Sequence, residues 1–148
     1  MSVDLIRLLQ TMGGSLMAGS TLSLREDYQQ KTGLVLGVLL MIASEESDRL
    51  VDRLVEENAA MRDLFARARD VVEDRPLAER LEDAATGGEA SLRVSVLQPE
   101  NHRLRALLVD LHACVEEDPS EEARALEDAI WAELARSSQR RTLALAPL

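Results

Sequence analysis

Residues 24–72 read LREDYQQKTGLVLGVLLMIASEESDRLVDRLVEENAAMRDLFARARDVV, a stretch without proline. Its apolar positions Leu36, Leu40, Ala43, Val51, Leu54, Met61, Phe65, Ala68 and Val72 recur at the three- and four-residue spacing that gathers side chains on one side of a helix. One very long helix over 24–72 is therefore predicted. Thr32 and Gly33 together lower helix propensity, so Gly33 is the position at which a kink or break is expected. Unbroken from Gly33 to Val72, such a rod would reach about 60 Å at 1.5 Å per residue, more than a small domain normally contains.

Punctuation on either side defines four shorter helices. Ser2 is placed to cap a first helix with Leu5, Ile6, Leu9, Met12 and Leu16 on one face, weakened at Gly13 and Gly14. Ser23 and Glu26 form a capping box, with Leu22 as its staple, at the start of the long helix. Pro76 suits the first turn of a short helix ending near Ala85. Thr86, Gly87 and Gly88 then make a turn, and residues 86–98 read either as an extended connector or as a helix that begins early. Pro99 opens a helix striped by Leu104, Leu107, Leu108, Leu111 and Val115. Ser120 caps a fifth, where Glu121 and Glu122 complement the helix dipole and Leu126, Ile130 and Leu134 face inward. Residues 142–148 are a tail that docks or hangs free. The expected architecture is an all-α bundle of one domain over 1–148.

Composition agrees with that class. The 148 residues are 46% hydrophobic and 30% charged, a balance that fits a packed globular chain. Tyr28, Phe65 and Trp131 are the only aromatic residues, so aliphatic side chains must fill the core, which suits helices better than strands. A net charge of −10 opposes the phosphate backbone of nucleic acids, and no nucleic-acid partner is expected. Arg136, Arg140 and Arg141 are read as cations complementing a helix C-terminus. The longest apolar run, 34–43, falls far short of the ~20 residues of a membrane span. Residues 1–17 lack a basic leader and an uninterrupted apolar segment, and Cys114 has no partner for an internal disulfide. A cytoplasmic setting is the expectation.

No catalytic constellation emerges. The nearest metal-like grouping is His112 with Glu116 one turn on, or with Asp110, and it needs Glu45, Glu46 or Asp48 from the long helix to complete it. The chain contains no Glu-x-x-His, the pair that carboxylate-bridged metal bundles use, and no cofactor is expected. Glu45 and Glu46 are read as the point where the apolar run emerges into water, and Cys114, on or near an apolar face, as an inert thiol. Gly14–Thr21 has the glycine spacing of a phosphate loop, but Ser20 stands in the lysine position and no strand precedes it.

The informative features concern packing. Gly33 and Gly37, four residues apart in a run that is apolar on every side, allow another backbone to approach closely. Asn58 falls on the stripe of Val51, Leu54, Met61 and Phe65, where a polar residue either fixes register or sits at the stripe's edge facing water. The long helix exceeds what its shorter neighbours can cover, so completion by homodimerisation is expected through Gly33, Gly37, Leu40, Val51, Leu54, Asn58, Met61 and Phe65. The first functional expectation is a non-enzymatic protein acting by helix-mediated association, as an adaptor, assembly factor or regulator of a protein partner. Alternatives are a bundle holding a small apolar or acyl ligand, with weak activity near Glu45, Glu46 and His112, and a carboxylate metal protein.

Overall fold

The structure is a computed structural model that describes residues 5–18 and 27–142. Five helices are found and, among the described residues, no strand: α1 (Leu5–Met17), α2 (Asp27–Ala68), α3 (Arg75–Thr86), α4 (Val94–Glu117) and α5 (Glu121–Arg140). The all-α prediction with one long and four shorter helices holds. The Ser2 cap, the Ser23–Glu26 capping box and residues 143–148 lie outside the described residues.

Helix α2 runs unbroken through Gly33 and ends at Ala68, four residues short of the predicted Val72. Val71 and Val72 both donate backbone bonds to the Ala68 carbonyl, closing a turn in which Val72 still reaches the core. Pro76 stands in the first turn of α3, where its missing N–H costs nothing. Helix α4 begins at Val94, inside the stretch 86–98 that could also have been an extended connector, so Pro99 lies inside it. Leu97, with no exposed surface, gives that early turn an apolar anchor that a solvated connector would lack. Ser120 caps α5 as expected, its side chain accepting from the Ala123 amide.

The described residues form two compact units, one of 5–18 with 27–50 and one of 51–142. In the second, the end of α2 joins α3, α4 and α5 around Met61, Phe65, Leu81, Leu104, Leu111 and Ile130. This core is almost entirely aliphatic, with Phe65 its largest buried side chain.

The first unit is a two-helix hairpin of α1 and the early part of α2. Gly13 and Gly37 are both buried at its crossing. A methyl group added at Gly37 would run into the Met17 side chain and sit 2.8 Å from the Gly13 carbonyl oxygen; one at Gly13 would sit 3.0 Å from the Gly37 carbonyl. Backbone therefore meets backbone here, as the Gly33/Gly37 spacing allowed, and the approaching element is α1 of the same chain. Gly37→Ala should push α1 away at a cost of roughly 1–3 kcal/mol. Hydrogen exchange of the α1 amides should accelerate; unchanged α1 protection would disprove the close crossing.

Candidate functional site

Two features stand out, one in each unit. In the second unit, a polar seam runs through an otherwise apolar bundle. Glu57 projects from α2 with its side chain 2% exposed, and the neighbouring helices supply donors to both carboxylate oxygens. Ser137 Oγ of α5 donates to Oε1 at 2.8 Å. Oε2 accepts from Arg105 at 2.9 Å, from Asn101 Nδ2 at 3.2 Å and from Arg141 at 2.7 Å. Arg105 further donates to Asn101 Oδ1 at 3.0 Å and to Ser137 Oγ at 2.9 Å, which locks the donors to one another.

Burial pushes the Glu57 carboxyl upward. Hydrogen bonds from Arg105 and Ser137, with the charges of Arg105 and Arg141, outweigh it and hold the group below the ordinary glutamate value. A carboxylate so fully engaged is a poor general base, and its chemistry is that of a buried staple.

Asn58 continues the seam with no exposed surface. Its Oδ1 accepts from Asn101 at 2.9 Å and its Nδ2 donates to Glu89 at 3.1 Å. Arg62 bonds the same Glu89 and also reaches Glu100 at 3.0 Å, tying the α3–α4 loop and the start of α4 to α2. Arg103 at 2.9 Å provides the largest influence holding the Glu100 carboxyl below its usual range. Arg140 bonds Glu133 at 2.7 Å and Glu56 at 3.1 Å, and Arg136 bonds Glu133 at 3.0 Å. The arginines read from sequence as dipole partners thus also serve as side-chain clamps.

The hairpin offers the opposite surface. Leu8, Met12, Leu34, Val35, Leu36 and Leu39 are all about half exposed, Val35 reaching 57% and Leu39 54%. Between Lys31 and Glu45 the chain carries no charged residue.

The remaining candidates occupy separate places. Glu45 pairs with Arg49 at 2.7 Å, and Glu46 is half-buried one residue on. His112 meets Trp131 edge to face with centroids 5.2 Å apart and lies 3.9 Å from Glu127, whereas Glu116 is exposed. Among the described residues no three His, Cys, Asp or Glu side chains converge as metal ligands. An open groove of about 600 Å³ between α3 and α4 is lined by Asp74, Leu77, Arg80, Asp110, Cys114 and Glu117 among others, with Arg80 and Asp110 paired at 2.7 Å. Burial, then the charges of Asp74, Asp118 and Glu117, push the Cys114 thiol up, in keeping with an unreactive cysteine.

Of the residues expected at an interface, Leu54, Asn58, Met61 and Phe65 are buried within the second unit by their own chain. Gly33 and Gly37 are buried in the hairpin, and Leu40 and Val51 are half-buried. Glu57, Asn101, Arg105 and Ser137 were not singled out from sequence. The available signals were the pair Glu57–Asn58 interrupting the apolar stripe and the four-residue spacings Asn101–Arg105 and Ser137–Arg141. Comparison with protein-family models, with curated proteins and with solved structures finds no match for this chain.

Proposed function

We propose that this protein is a non-enzymatic association protein, an adaptor, assembly factor or regulator, whose working surface is the outer side of the α1–α2 hairpin. The observation that carries the reading is the set of half-exposed apolar side chains Leu8, Met12, Leu34, Val35, Leu36 and Leu39, four of them in the uncharged stretch 32–44 of α2. Scattered single leucines on a surface are ordinary, but a contiguous apolar patch marks an interaction site. Covering each half-exposed side chain releases on the order of 1 kcal/mol. Several must therefore be covered together to offset the entropy lost on association, which calls for a broad helical partner. The second unit complements this role, since its seam places its charged groups in internal clamps.

Site-specific photocrosslinking in cells expressing the full chain tests the reading. A photoreactive residue at position 35 or 39 should give discrete crosslinked products, and one at Val109, an exposed position on α4, should not. Absence of hairpin products, or equal yield at position 109, would refute association through this surface.

A further inference from the structure

On the association reading just given, we propose that the partner of the hairpin is a second copy of this chain, packed so that the two α2 helices run antiparallel against each other and each α1 lies on the outer side of its own α2. The argument begins with which side of α2 is already occupied. Gly33, Gly37, Met41 and Ser44 fall on one strip of the helix, spaced by four, four and three residues. Gly33, Gly37 and Ser44 are buried, and α1 lies over Gly37 and Met41. Advancing 100° per residue, the strip Lys31, Val35, Leu39, Ile42 and Glu46 lies on the far side. Val35 and Leu39 are the most exposed of the described apolar side chains of the hairpin.

That far strip is self-complementary in one orientation only. It carries a cation at its start, Lys31, the sole lysine of the chain, and an anion at its end, Glu46, with uncharged apolar residues between. Two copies related by a two-fold axis passing between Val38 and Leu39 bring Lys31 of each against Glu46 of the other. Val35 then meets Ile42, and the two Leu39 side chains flank the axis. A parallel pairing would oppose like charges at both ends. A two-fold contact requires this property, since one patch must serve as both partners. Elsewhere a chain of net charge −10 repels its own copy; over Thr32 to Ser44 there is no charge to do so. The spacing of four, four and three from Lys31 to Ile42 covers 11 residues in three turns, a period close to that of a straight helix, so the strip stays on one side of α2.

Sedimentation equilibrium of the purified full chain at micromolar concentration and low salt decides the matter. The expected mass is twice the protomer's 16.3 kDa. Lys31→Glu and Glu46→Lys should each weaken the dimer about tenfold. The double variant Lys31→Glu/Glu46→Lys should regain wild-type affinity, as should an equimolar mixture of the two single variants. Leu39→Glu should weaken it at least about thirtyfold, with Leu39→Gln as the milder companion and helical content checked by circular dichroism. A protomer mass for the wild type overturns the proposal; if hairpin crosslinks to a different chain are then found, the association reading stands without the second copy. A dimer that none of these variants weakens overturns both. A double variant weaker than either single overturns the antiparallel register.

Discussion

Glu57→Ala should lower the unfolding free energy by about 3 kcal/mol, the lower end of what removing one partner of a buried charge cluster costs. Deletion leaves Arg105, Arg141 and the Asn101 amide converging on a space with no anion. Arg105 and Arg141 keep side-chain exposures of 34% and 45%, so water compensates them in part, which places the loss below the extreme. The same group fixes a pH dependence. Its carboxyl titrates below the ordinary value of 4.5 in the folded chain, so the stabilisation it supplies is complete above that value and is lost as the pH falls through it towards the folded-state pKa. Glu100 acts with the same sign and leaves a residual slope. Urea midpoints of the wild type should therefore fall with acid more steeply than those of Glu57→Gln. Parallel acid profiles, or a Glu57→Ala penalty under about 1 kcal/mol, would mean that the seam contributes nothing beyond filling space.

Phe65→Ala should cost about 3–5 kcal/mol. Phe65 is 1% exposed and is the only phenylalanine, so no second ring stands ready to fill the hole, and the core it shares is otherwise aliphatic. Measured by urea unfolding at neutral pH, the midpoint should drop with the slope preserved. Val109→Ala, at a position 68% exposed, should move it by no more than about 0.5 kcal/mol. Equal effects at the two positions would show that the core is not organised around Phe65.

How far the sequence could be read follows from the range of each signal. Periodicity is local, and it located the long helix, the Leu104–Val115 stripe and the Ser120 cap. It mistook the end of α2, because Val72 continues the apolar rhythm after the backbone has turned. Gly33 and Gly37 announced a close approach, but Gly13 and Gly14 read as weakness in α1 when Gly13 is in fact the other half of the crossing. The seam lay out of reach for a different reason. The ligands of Glu57 lie 44 to 84 positions downstream of it, and no spacing rule links a glutamate on one helix to an arginine so far along the chain. What sequence could show was a polar pair where the stripe called for leucine.

Those separations also bear on how the chain comes into being. Ribosomal synthesis proceeds at about 5–20 residues per second, so roughly 4–17 s pass between the appearance of Glu57 and that of Arg141, 84 positions later. Until position 101 is made the nascent α2 carries a carboxylate with none of its four ligands, and Arg141 arrives last. Final closure of the second unit is deferred until its last helix is made, leaving the newborn polypeptide a window in which partly formed bundles can meet one another or a chaperone.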